Sequence, residues 1–210
     1  MKNTFRYFPI FVILAFAAFT ANAQDHNKVE FYGGYQYLSV DTGFDELDPQ
    51  FDSRYGFHGF NASVTGNVQK SWGLKFDFST HSKDIFQDSD ITVKLRTTQY
   101  LGGIQLKNNE KDGPRLKPFA HVLAGVANQN ISCTGFCSGA EGTSSTSLSE
   151  TENSFAMVFG GGLDVKVHKR VDIRVFQIDY NPIWFKGNTN LELDSRTQNN
   201  FRIGFGVVIH

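Results

Sequence analysis

Apolar and polar residues alternate along most of this chain beyond residue 28. In the stretch "WGLKFDFST" (72–80), Trp72, Leu74, Phe76 and Phe78 share one face, while Gly73, Lys75, Asp77 and Ser79 share the other. A period of two is the pattern of a strand with unlike faces. The same alternation recurs over 29–40, 55–68, 91–106, 117–127, 155–167, 171–180 and 201–209, which makes eight predicted strands in all. The stretch 171–180 changes phase: Ile173 and Val175 lie on one face, Phe176, Ile178 and Tyr180 on the other. A bulge near Phe176 is the expected remedy, because one extra residue inverts the alternation.

The connections sort by parity. Those after the second and sixth strands (67–71 and 168–170) are short, and that after the fourth (107–115) is moderate. Those after the first, fifth and seventh (41–54, 128–154 and 181–200) are long, and 81–90 is intermediate. A soluble sandwich has no physical reason to sort its loops in this way, whereas a membrane barrel has short turns at one end and long loops at the other. The Ser/Thr/Gly-rich run 139–149 reads as a loop tip.

Alternation alone does not say which face looks outward. The glycines bear on this. Gly34, Gly59, Gly73, Gly160, Gly162, Gly204 and Gly206 fall in phase with polar or charged neighbours, while Gly33, Gly103 and Gly161 fall in the opposite phase. An eight-stranded barrel has an interior just wide enough for side chains to fill it. Bulky aromatics from every strand would overfill that space, so the Phe faces belong outside and the glycines make room for long charged neighbours within. The predicted interior set is Glu30, Lys75, Asp77, Lys94, Arg96, Asp164, Lys166, Asp172, Arg174 and Arg202. Both signs are present, and charges held away from bulk water must be paired, so the lumen is expected to be closed. Trp72, Phe119, Phe155 and Phe201 near strand starts, with Tyr37, Tyr180 and Trp184 near strand ends, predict interfacial aromatic belts. The expected fold is therefore all-β: an eight-stranded antiparallel up-and-down transmembrane β-barrel with short periplasmic turns and longer outer loops.

Composition adds compartment and excludes some partners. Lys2 and Arg6, an apolar run from Phe8 to Phe19 and the small-residue site Ala21-Asn22-Ala23 form a secretory signal. Residues 1–23 are read as cleaved, and 24–210 as a single barrel domain. With 20 basic and 21 acidic residues there is no cationic excess of the kind nucleic acid demands. Cys133 and Cys137, in "CTGFC", are a candidate disulfide in an oxidising compartment, free thiols being the alternative.

No catalytic or metal constellation emerges. His26, His58, His81, His121, His168 and His210 are scattered without ligand spacing. His81, Ser82 and Asp84 sit close in sequence at a predicted outer rim, but successive strand residues point to opposite faces. The triplet Gly160-Gly161-Gly162 lacks the Lys-Ser/Thr of a phosphate loop. Asp41, Asp45, Glu46, Asp48 and Asp52 lack calcium-loop spacing and read as a solvated loop. The expectation is a non-enzyme without cofactor. A soluble secreted or periplasmic barrel holding a small apolar ligand, and a rim enzyme acting on envelope lipid, are the alternatives.

The segments "YGFHGFNASVTGNV", "WGLKFDFS", "YLGGIQL", "KPFAHVLAGVA", "FGGGLDVKV", "VFQIDYNPIWF" and "NNFRIGFGVVI", in this order and spacing, resemble the small outer-membrane β-barrels related to the OmpA transmembrane domain, and among them the stand-alone porin-like barrels. The resemblance implies an outer-membrane location, contact with its lipid, insertion by the barrel assembly machinery, a monomeric state and a structural or surface-contact role carried by outer loops toward an extracellular ligand. It carries no peptidoglycan anchor. Such barrels usually end on an aromatic residue; here the last residues are Val208, Ile209 and His210.

Overall fold

The computed structural model describes residues 26–41, 54–88, 91–138, 144–185 and 196–210, with side chains described except at 85–88, 91–93, 133–138, 144–150 and Arg196. The predicted signal segment 1–23 lies outside the described residues. Eight strands make one closed antiparallel barrel in chain order: β1 (Val29–Asp41), β2 (Arg54–Asn67), β3 (Trp72–Asp88), β4 (Ile91–Lys107), β5 (Leu116–Ser138), β6 (Ser144–His168), β7 (Val171–Phe185) and β8 (Arg196–Ile209). β8 closes on β1, with Tyr35 opposite Phe205 and Phe31 opposite Ile209. Closure leaves no unpaired edge, which is what lets strands cross a medium that offers no hydrogen bonds.

One end, the turn end, carries the connections 68–71, 108–115 and 169–170 together with residues 26–28 and His210. At the opposite end the strands run further than the alternation predicted. β3 continues to Asp88, and β5 and β6 pair over 128–134 and 147–153, so much of the expected long loop is strand. Ser144–Ser149, expected in a loop tip, belong to β6. A strand needs about 9–11 residues to cross a bilayer. β5 and β6, at 23 and 25 residues, project well beyond one. Polar residues without a period-two apolar face hid this extension.

The register of β7 against β8 shifts between Arg174 and Gln177, so the chain carries a bulge beside Phe176 as its alternation requires. Cys133 and Cys137 both fall in β5, with a second irregularity between Thr134 and Cys137. Their side chains lie outside the described residues.

Burial alternates strand by strand. Phe31, Phe76, Ile104, Val122, Phe159, Ile178 and Phe205 face outward and are exposed. Glu30, Asp77, Gln105, His121, Asp164, Asp179 and Arg202 point inward and are buried. Outward aromatics pair across neighbouring strands, with ring centroids 5.2 Å apart for Phe78 and Tyr100 and 5.5 Å for Phe155 and Trp184. This is the geometry of an interfacial girdle. Phe119, predicted for that girdle, instead points inward and is 6% exposed.

Three predicted interior charges are elsewhere. On β4 the inward set is Leu95, Thr97, Gln99, Leu101, Gln105 and Lys107, which places Lys94 and Arg96 on the outward face. They stand beyond the girdle residue Tyr100, where Lys94 meets Asp84 at 3.9 Å. Charge was a poor guide there because the outward face leaves the apolar band before the strand ends. The corrected phase also brings Gly103 inside, where a Cβ would lie 2.8 Å from the Leu123 backbone. Lys166 is in the inward phase but sits at the turn-end rim, where its ammonium donates to the Lys111 carbonyl.

Candidate functional site

Among the described residues the lumen is where the fold concentrates buried chemistry, and all eight strands contribute to it. Nearest the turn end, Lys107 of β4 bridges Glu30 of β1 at 2.6 Å and Asp164 of β6 at 3.1 Å. Asp164 also takes two contacts from Arg174 of β7, at 2.8 Å from Nε and 3.1 Å from Nη2. The planar fork of Arg fits a carboxylate in this two-point manner. The same guanidinium lies 3.9 Å from the centroid of Phe119 and 4.3 Å from that of Tyr32. Phe119 is thus inside because it faces a buried cation. Lys117 of β5 reaches Asp172 at 3.0 Å. His210, past the end of β8, folds back against Asp172 at 2.8 Å and Glu30 at 3.5 Å. The two His210 contacts are ion pairs when its imidazole is protonated.

A second layer follows. Arg202 donates to Asp179 at 2.8 Å and 3.2 Å, and Gln177 donates to the same carboxylate at 2.7 Å. Arg174 Nη1 donates to Gln177 at 2.7 Å, which joins the two layers. His121 lies between Lys75, 3.3 Å from its Nδ1, and Asp179, 3.0 Å from its Nε2. The Lys75 amine donates, so Nδ1 accepts and Nε2 carries the proton given to Asp179. Asp77 lies 3.8 Å from Lys75 and 3.7 Å from Arg202.

Beyond these layers apolar side chains mix with neutral polar ones, and Gln99 donates to Asn181 at 2.8 Å. Leu101, Leu123, Ala127, Ala156, Val158 and Ile183 form one buried cluster, and Leu38, Val40 and Phe57 another. These apolar clusters and the neutral polar groups between them fill the lumen on the loop side of the ionic layers. A filled interior lowers the local dielectric, which strengthens the charge pairing beneath it.

The buried cations Lys75, Lys107, Lys117, Arg174 and Arg202 are equal in number to the buried carboxylates Glu30, Asp77, Asp164, Asp172 and Asp179. Lys107, Lys117, His121, Asp179 and His210 were not among the predicted interior residues. Asp179 was legible: once the bulge inverts the phase, Asp172 and Arg174 share a face with Gln177 and Asp179. Lys107 and Lys117 sit at strand ends, where alternation has too few members to fix a side. His81, placed at the rim in sequence, is instead inside and 1% exposed, while Ser82 takes the opposite phase. Among the described residues no group of His, Cys, Asp and Glu has the arrangement of a metal site.

A family model described as outer membrane protein beta-barrel domain matches residues 11–208. The chain belongs to this family. Its location is the outer membrane, and the exposed apolar band is the surface that meets lipid. Among curated proteins none matches the sequence. Among solved structures, Neisserial surface protein A is similar with a TM-score of 0.55 at 10% identity, over 89% of this chain and 99% of that one. The Yersinia pestis attachment invasion locus protein Ail, in complex with the heparin analogue sucrose octasulfate, is similar with a TM-score of 0.50 at 16% identity, over 86% and 97%. At such identities the likeness speaks for the fold. The turn end of an outer-membrane barrel faces the periplasm, so the projecting β3–β4 and β5–β6 hairpins rise outward.

Proposed function

We propose that this outer-membrane barrel is a non-enzymatic, non-conducting scaffold whose contacts are made by the outer ends of its strands and the connections between them. The observation that carries this reading is the matched set of buried cations and carboxylates spanning the lumen, with further buried side chains filling it on the loop side. Opening a path for solute would separate pairs in a low-dielectric interior, at about 3–5 kcal/mol for each broken one. The test is conductance in planar bilayers. Steady single-channel steps from the purified monomer would overturn the closed-lumen reading; a silent bilayer containing folded protein is the expected result.

The surface role rests on geometry and charge. β5 and β6 extend a paired ribbon past the girdle, and rows of amides and hydroxyls line its outer face, with Asn128 donating to Asn153 at 2.9 Å. The connection between β1 and β2 carries Asp45, Glu46, Asp48 and Asp52 and no Lys or Arg. Its sequence favours a cationic partner over a sulfated sugar of the kind bound to Ail. Binding of whole cells to a cationic and to a sulfated surface, with and without replacement of 42–53, tests this. Insertion by the barrel assembly machinery, a monomeric state and a Cys133–Cys137 disulfide belong to the same reading. The last is checked by the mass shift on alkylation before and after reduction.

A further inference from the structure

The described residues at the periplasmic end have a charge bias that the whole chain lacks. Beyond the strand ends lie Lys28, Lys70, Lys111, Arg115, Lys169 and Arg170 against Glu110 and Asp112. Glu110 is engaged by Lys70 at 3.5 Å. Lys111, Arg115, Lys169 and Arg170 are exposed, and none makes an ion pair among the described residues.

The fold pushes these cations together. The backbone N–H of Lys166 donates to the Arg115 carbonyl at 2.8 Å, and its ammonium donates to the Lys111 carbonyl. The β4–β5 turn is thereby fastened to the end of β6, two residues short of the turn that carries Lys169 and Arg170. The backbone N–H of His210 donates to the Arg170 carbonyl at 3.0 Å, which fixes that turn as well. Like charges on neighbouring turns repel, and among the described residues Glu110 and Asp112 are too few to balance them. An external anion would offset them.

The neighbours of the cluster say where that anion sits. Leu116 and Val167, beside Arg115 and His168, are outward, apolar, and 57% and 50% exposed. They end the lipid-facing band at this side. On the adjoining face, between the β2–β3 and β4–β5 turns, an open groove of about 540 Å³ runs along Leu106, Pro118 and Ala120. Its mouth is flanked by Lys70 and Glu110. Cations immediately past the last lipid-facing row, next to an apolar groove, fit an amphiphile with a negative head.

We propose that the β4–β5 and β6–β7 turns form a binding surface for anionic phospholipid of the periplasmic leaflet, phosphate against Lys111, Arg115, Lys169 and Arg170, with an acyl chain lying along the groove beside Ala120. Basic residues near a membrane surface attract anionic headgroups through a field that salt screens.

The test uses a single tryptophan at the site: V167W in a W72F/W184F background, refolded into vesicles. Dibrominated phosphatidylglycerol at low salt should quench it more strongly than dibrominated phosphatidylcholine, with a relative affinity of about threefold or more. The preference should vanish when Lys111, Arg115, Lys169 and Arg170 are all replaced by Gln, and should shrink in high salt. Equal quenching by the two lipids, or a preference that survives the fourfold replacement, overturns the proposal. Native mass spectrometry of the unaltered protein from mixed micelles gives a reading free of the reporter: retained phosphatidylglycerol in excess over phosphatidylcholine is expected, and no excess refutes the site. Adhesion to isolated peptidoglycan sacculi that is lost in the fourfold variant, with no lipid preference, would assign the surface to that polymer and overturn it as well.

Discussion

Arg174 and Asp164, ten residues apart on neighbouring strands, meet through two charge-assisted hydrogen bonds of 2.8 and 3.1 Å inside the lumen. Neither is reachable by water to any useful degree. Arg174→Met therefore leaves Asp164 with Lys107 alone, and the loss is expected to be about 3–5 kcal/mol. Urea unfolding of the barrel in phospholipid vesicles measures it. Combining Arg174→Met with Asp164→Asn should cost less than the sum of the two single changes. Simple additivity would show that the pair is not coupled.

The glycines separate space inside from space outside. A Cβ on Gly103 would press on the Val122 carbonyl and come 2.8 Å from the Leu123 backbone, whereas one on Gly33 would meet nothing within 4 Å. Gly103→Leu is expected to prevent closure and Gly33→Leu to leave it intact. The unboiled gel shows this directly, as loss or retention of the compact, heat-modifiable band.

Phe76 is 56% exposed on the outward face of β3. Phe76→Lys would place an ammonium against acyl chains, at about 2–4 kcal/mol if the site lies near the bilayer midplane. Lys94→Gln, outward beyond the girdle, should change stability by less than ~0.5 kcal/mol. Similar effects from both would contradict the placement of the hydrocarbon zone.

His210 couples the chain end to pH. Burial disfavours its charged form, but the carboxylates of Asp172 and Glu30 outweigh burial, and its pKa is raised. A raised value in the folded state means that the contribution is fully present below the unfolded pKa of about 6.5. It is lost as pH climbs through the folded value. Unfolding midpoints should therefore fall on going from mildly acidic to alkaline pH. His210→Gln should flatten that part of the profile; an unchanged slope would dissociate His210 from the effect.

Much of this was written in the alternation. Phe76, Phe78, Phe159 and Phe205 face lipid because aromatics from every strand would overfill a narrow lumen, and Glu30, Lys75, Asp77, Asp164, Asp172, Arg174 and Arg202 are buried within it. The phase change at Phe176 likewise announced a bulge, since one inserted residue inverts every side chain after it. Where alternation is sustained over many residues, local order and the global fold impose the same constraint.

The sequence by itself determined the number of strands, the two faces of most of them and the class of surrounding that each face requires. Only the tertiary structure decided which charge meets which. Lys107 finds Glu30 across 77 residues and Lys117 finds Asp172 across 55, because the stagger of the closed sheet, and not distance along the chain, sets which side chains share a layer. The same closure placed Phe119 over Arg174 and sent Lys94 and Arg96 outward. Near a strand's end the local pattern has too few members to choose a side, and the pairing of neighbouring strands makes the choice.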